Sequence, residues 1–152
     1  MKQFFAYLLP EKADNTFSGR KLPILLFAII TLFSLVRSLI HLLSPDGGAG
    51  SIAGMDLSLA GADGIIFAFA LWGSAQLIYA LIQLLVLLRY RALIPLMYLL
   101  LIVETLLRIL VGSMKPVGFA HTPPGALGNQ ILLPLALGML VLSFWPAKGK
   151  VR

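Results

Sequence analysis

The chain has 152 residues, of which 59% are hydrophobic and only 12% charged, and its mean hydropathy is +0.95. A soluble domain carries about a quarter charged residues, so these values exclude a water-soluble globular enzyme. The net charge of +6 sits mostly at the edges of apolar blocks, with no basic stripe or nucleic-acid-binding motif, so no nucleic acid partner is expected. The absence of Cys removes disulfides, thiolate catalysis and Cys-type zinc sites together.

Residues 1–19 place Phe4, Phe5, Tyr7, Leu8 and Leu9 ahead of Pro10. This pattern reads either as a short segment lying in the membrane interface or as a disordered tail with aromatic anchors. The first apolar block covers about 22–43. Signal-peptide cores run only about 7–15 residues, so this longer block is read as a span. Three further blocks, about 65–88, 92–111 and 126–145, also reach the ~20 residues that a helix needs to cross a bilayer. None alternates with period two, which excludes a β-barrel. The expected fold class is therefore an all-α, four-transmembrane-helix bundle forming a single membrane domain, with outer loops at 44–64 and 112–125.

Charge gives the orientation. Lys2, Lys12, Arg20 and Lys21 precede the first span, Arg89 and Arg91 fill the second connection, and Lys148, Lys150 and Arg152 close the chain. The first loop carries Asp46, Asp56 and Asp63 without any Lys or Arg, and the third connection has only Lys115. The positive-inside rule then places both termini in the cytoplasm of a multi-pass cell-membrane protein; in a bacterium this would be the inner membrane. Arg89-Tyr90-Arg91 is short enough to make spans two and three an antiparallel hairpin, and Pro95 falls in the first turn of the third, where its missing N–H is tolerated. Tyr90, Tyr98 and Trp145 fit the interfacial aromatic belt.

Spans one and three share a pattern, with Arg37 and Arg108 each followed eight residues later by proline, Pro45 and Pro116. A parallel hairpin duplication and chance both account for it; a duplication puts the two arginines at matching depth. Ionisable groups inside a span are costly and by default face the bundle interior with a partner. Glu104 and Arg108 are four residues apart on one helix face and can pair, as can Arg37 and His41. Two readings of these four residues stay open. Either they hold two helices in register, with one arginine snorkelling to headgroups, or two guanidinium groups against one carboxylate leave a positive charge suited to a phosphate or carboxylate ligand; proton or ion relay through Glu104 and His41 is a third use.

In span two, Gln76, Tyr79 and Gln83 follow one helix face, as an interhelical hydrogen-bond seam or as a cavity lining, while Trp72 and Ser74 lie nearer the outer end. Gly73, Gly112, Gly128 and Gly138 would permit close helix contact. The Gly-rich first loop is rigid only if it packs on the bundle. Its three Asp residues, with His41 and His121, lack any recognised metal-ligand spacing, so no metal is expected. In the second loop Thr122-Pro123-Pro124-Gly125 is turn chemistry, and Asn129 and Gln130 lie near the outer mouth, within reach of the arginine cluster.

The four spans with short tails, the Pro45-Asp46-Gly47-Gly48 exit from span one, the Arg89-Tyr90-Arg91 hairpin, and Glu104-x-x-x-Arg108 followed by Gly112 and Pro116 resemble the DoxX-like group of small four-helix membrane proteins. The resemblance implies that fold and, for some members, association with quinone-linked oxidoreductase complexes. With no Cys and no paired-His haem or flavin site, no cofactor is expected, and no catalytic residue is assigned. The expected function is binding of an amphipathic or anionic ligand, or of a partner protein, at an outward-facing polar pocket of Arg37, His41, Glu104 and Arg108, with Gln76 and Asn129 at its edge. Alternatives are a small oxidoreductase subunit or lipid- or quinone-modifying enzyme, and an oligomeric transporter or channel subunit. The expected partners are membrane lipids, with an anionic lipid or quinone as ligand and a homo-oligomer or larger membrane complex as assembly.

Overall fold

A computed structural model describes residues 6–145. Four helices dominate it: α1 (Lys21–Leu43), α2 (Ala62–Arg89), α3 (Ile94–Met114) and α4 (Pro124–Phe144), with a 3-10 turn at Arg91–Leu93. Each helix is long and apolar enough to cross a membrane, with mean hydropathy between 1.8 and 2.2, and no strand occurs among the described residues. A helix satisfies its own backbone groups, which is the requirement lipid imposes.

Proline sets most of the boundaries. A residue before proline is driven away from the helical region, and Ser44 (ψ 142°), Lys115 (ψ 71°) and Trp145 (ψ 114°), each followed by proline, end α1, α3 and α4. Pro123 (ψ 141°), itself followed by Pro124, precedes α4. The expected limits shift modestly: α2 starts at Ala62, α3 runs to Met114, and the loops shorten to 44–61 and 115–123.

The helices associate as two hairpins. α1 lies along α2 for most of its length and α3 along α4, and α1 also touches α4. Spans two and three form the expected antiparallel hairpin, but a splayed one. They are antiparallel neighbours in the chain, but Tyr90 (φ −132°, ψ 49°) and the 3-10 turn spread them, so α2 and α3 make only sparse contact.

The core sits at the end of the bundle that carries residues 6–20 and Trp145. Phe27 of α1, Val86 of α2, Ile94, Tyr98 and Leu101 of α3, and Ala136 and Met139 of α4 form it. The Tyr98 hydroxyl donates to the Pro23 carbonyl at 2.7 Å and its ring meets Phe27 edge-on. This places Tyr98 inside the core as a tie between α3 and α1, a correction to the interfacial-belt expectation. Residues 6–20 are strapped across the same end. Leu8 is buried, Tyr7 stacks edge-on with Phe144, Ala92 N–H donates to the Asp14 carbonyl, and Arg20 sits over Trp145. A Cβ on Gly19 would collide with the Ser143 carbonyl, so only glycine lets the strap lie this close. The tail expectation is overturned for these residues, while Lys2, Phe4, Phe5, Lys148, Lys150 and Arg152 fall outside the described residues.

Towards the other end the bundle opens. In α3 every residue after Thr105 is exposed except Arg108, and in α4 every residue before Leu132 except Asn129. Gly112, Gly128 and Gly138 meet no atom within 4 Å of an added Cβ, so the close-contact role expected of them does not arise. Gly73 alone of the four performs it.

Candidate ligand site between the spans

Gly73 marks the crossing of α1 and α2. A Cβ there would stand 2.7 Å from His41 Cβ and 2.8 Å from the Leu42 backbone N, distances no side chain can occupy. The close approach puts His41 (5% exposed) against the rings of Phe69 and Trp72, at 5.9 and 5.0 Å between centroids. His41 Nδ1 lies 2.8 Å from the Gly47 carbonyl. A carbonyl only accepts, so Nδ1 carries the proton in this bond. His41 therefore clamps the first loop to the bundle, a different task from the ligand contact expected of it.

That loop is ordered by its own turns. Gly47 and Gly48 have φ of +59° and +76°, and Gly47 passes so close to α2 that a Cβ would lie 2.9 Å from Phe69 Cβ. The Asp46 carboxylate accepts from Gly48 N–H at 2.8 Å and Ser51 N–H at 2.6 Å. These bonds, with Ser51 the strongest, hold its pKa down at about 2. Asp56 likewise accepts from Ser58 N–H and Oγ, which lowers its pKa. Both carboxylates thus serve local turns. Ala120 N–H donates to the Gly54 carbonyl at 2.9 Å, and the His121 ring lies against Gly54, joining the second loop to the first.

Because the folded pKa of Asp46 lies below the unfolded value of about 3.9, its contribution to the loop is complete above pH ~4 and is lost as pH falls through about 2. Asp46→Asn is expected to raise amide exchange at Gly48 and Ser51 a few-fold at neutral pH, the modest scale of a solvent-facing charged hydrogen bond. Exchange followed by mass spectrometry reads this directly; equal protection in the variant would show that the glycine turns alone hold the loop.

Below the His41 crossing lies the polar cluster. Arg37, in a helix ending at Leu43, and Arg108, in one ending at Met114, each stand six residues, ~9 Å, short of that end. Their depths match, as the shared spacing to Pro45 and Pro116 requires. The Arg37 guanidinium lies over the Trp72 ring, 4.8 Å from its centroid, a cation–π contact. It also lies within electrostatic range of Arg108 and Glu104. Arg108 Nε is 3.7 Å from Glu104 Oε1, an ion pair too long to be a hydrogen bond. That Nε is buried and finds no hydrogen-bond partner among the described residues.

α2 supplies the facing stripe. Trp72, Gln76, Tyr79 and Gln83 follow one another at helical spacing, and Val86 continues their row into the core. Tyr79 lies within electrostatic range of Glu104 and beside the Gln83 side chain. Gln83 is 1% exposed. Its Oε1 and the Tyr79 hydroxyl, one turn apart on α2, are buried and, though no bond within 3.5 Å is formed among the described residues, near enough to pair with each other. Gln76 is partly buried on the same stripe, while Asn129, partly buried on α4, makes no hydrogen bond to the cluster among the described residues.

Arg37, Glu104 and Arg108 are thus brought together, His41 is diverted to the loop, and Tyr79, Gln83 and Trp72 join instead. The Trp72 contact had no signal in the sequence, since no spacing within one helix pairs it with an arginine on another. Compared with known proteins, the chain gives no significant match to any family model, curated protein or solved structure.

Proposed function

We propose that the protein is a non-enzymatic, multi-pass membrane protein that binds an anionic, amphipathic ligand at Arg37, Glu104 and Arg108. The observation that carries this reading is the surplus cation: two guanidinium groups stand against one carboxylate within the spans, and Arg108 Nε is buried with no hydrogen-bond partner among the described residues. A guanidinium fork suits a phosphate or carboxylate, and an ionised group at this depth is expensive unless something pairs it.

The positive-inside rule orients the site. Lys12, Arg20, Lys21, Arg89 and Arg91 share one end of the bundle, and among the described basic residues outside the spans Lys115 alone lies at the loop end. We therefore assign the termini to the cytoplasm and the splayed end of the bundle to the outer leaflet of the cell membrane. The DoxX-like affinity remains a proposal of the same kind, resting on the four-span plan and the Glu104-x-x-x-Arg108 pair.

Purified protein released from detergent into a native mass spectrometer is expected to retain anionic phospholipid. Arg37→Ala and Arg108→Ala should each lower that retention about ten-fold, the loss of one charged hydrogen-bonding partner, while leaving zwitterionic lipid unaffected. Unchanged retention in both variants would overturn the ligand reading and leave the cluster as a helix-register device.

A further inference from the structure

The packed and unpacked parts of α3 and α4 meet at one level. In α3 packing ends at Thr105, nine residues, ~14 Å, from the end at Met114. In α4 it begins at Leu132, two residues from Pro134, which stands ten residues, ~15 Å, from Pro124. Each level carries a group that lets its helix bend. Thr105 Oγ donates to the Leu101 carbonyl at 2.7 Å, a back-bond that often bends a helix. Pro134 has no N–H for the Gln130 carbonyl, and its ring crowds that carbonyl.

The bend at Pro134 has a direction. Crowding opens the helix on the proline's own side, so the axis folds towards the opposite side. Pro134 is exposed, and at helical spacing the opposite face carries Asn129, Leu132, Ala136, Met139 and Ser143, all wholly or partly buried. Ala136 and Met139 belong to the core that α4 shares with α1 and α3. A sharper bend therefore carries residues 124–133 inward, over the level of the polar cluster. Asn129 leads that movement. It is the one residue of α4 before Leu132 that is partly buried, and it lies five residues, ~7.5 Å, from Pro124, close to the depth of Arg37 and Arg108.

Resting on the ligand site proposed above, we infer that the outer half of α4 is a gate hinged at Pro134, which closes over the bound anion. The structure holds the open arrangement. On closing, the Asn129 amide donates to the phosphate or carboxylate held by Arg37 and Arg108. That bond forms only in the closed, occupied state, so the ligand favours closure by the worth of the new contact. A proline kink of ~25° moves residue 127, ~10 Å along the helix from the hinge, by about 4 Å.

The chain has no Cys, so spin labels attach only to cysteines introduced at Leu43→Cys on α1 and Leu127→Cys on α4, both exposed. The full-length chain is placed in nanodiscs of phosphatidylcholine, with or without phosphatidylglycerol, for double electron–electron resonance, and lipid retention is read on the same proteins by native mass spectrometry. Phosphatidylglycerol is expected to shorten the label separation by about 4 Å. Asn129→Ala and Pro134→Ala should each keep the long separation in both lipids and retain phosphatidylglycerol about ten-fold less, the scale of one charged hydrogen bond. Pro134→Ala restores a helical N–H, so it should fold at least as stably as wild type. Phosphatidylglycerol retained by wild type at an unchanged separation would overturn the gate and leave the ligand site standing. A Pro134→Ala protein that closes as wild type does would overturn the hinge. A short separation in phosphatidylcholine alone would place Asn129 on the arginines themselves and overturn the dependence on ligand. No retention of phosphatidylglycerol by wild type would overturn the ligand site, and the gate with it.

Discussion

Gly73→Leu is expected to separate α1 from α2 and to lower stability by about 3 kcal/mol, at the upper end of what overfilling a close-packed contact costs. The first atom of any side chain at this position meets not a movable side-chain tip but His41 Cβ at 2.7 Å and the Leu42 backbone N at 2.8 Å. Relief requires the helices to move apart. That would draw His41 away from the Gly47 carbonyl and Arg37 from the Trp72 ring, so loop protection and ligand retention should fall together. Gly138→Ala is the opposite case. Its Cβ meets nothing within 4 Å, and exchanging glycine for alanine in a helix is favourable by up to about 1 kcal/mol, so this variant should be neutral or stabilised. Unfolding in detergent, followed by helical circular dichroism, compares the two. Equal stability of Gly73→Leu and wild type would show that the α1–α2 crossing is not the close contact described.

The contrast between these glycines bears on what a sequence of this kind reveals. Gly73, Gly112, Gly128 and Gly138 look alike in sequence, because a small residue permits contact without requiring it. The spans themselves were legible because a bilayer demands about 20 apolar residues and tolerates little charge, and the same demand singles out Arg37, Glu104 and Arg108. Which helix meets which was not legible. Lipid makes every face of a span apolar, so the amphipathic stripe that would report the neighbour in water is missing. Hence the Arg89-Tyr90-Arg91 turn predicts the antiparallel hairpin of spans two and three but not that they splay while α2 packs along α1.

His41 illustrates the same limit. Spacing by four residues puts it on the face of Arg37, and so into the cluster, but a ring nitrogen takes the best acceptor within reach, and the folded loop supplies the Gly47 carbonyl. The loop order depends in turn on that bond and on the contact of Gly47 with Phe69, neither of which is local in sequence. The stripe of Gln76, Tyr79 and Gln83 was visible as a polar face.

Removing the carboxylate tests the cluster as an electrostatic unit. Glu104 stands ten residues, ~15 Å, from either end of α3, near the middle of a membrane span, and it is the one acidic residue within the four spans' apolar interior. Its side chain and that of Arg108 are 36% and 22% exposed, but exposure at this depth is to hydrocarbon, so water does not screen the pair as it would on a soluble surface. Glu104→Ala would leave Arg37 and Arg108 facing each other with no counter-charge. The expected cost is about 3 kcal/mol, set by the 3–5 kcal/mol of breaking a buried ion pair and the 2.5–3.5 kcal/mol of an arginine at mid-bilayer. Adding Arg108→Leu should recover most of that loss, because it removes the uncompensated charge rather than restoring a bond. Added anionic phospholipid should also recover part of it, since a bound phosphate supplies the counter-charge that Glu104 no longer does. The four proteins of this double-mutant cycle, unfolded in detergent with and without lipid, measure both effects. If Glu104→Ala/Arg108→Leu is no more stable than Glu104→Ala, the arginines do not depend on Glu104 for neutralisation, and the cluster cannot hold a ligand through their surplus charge.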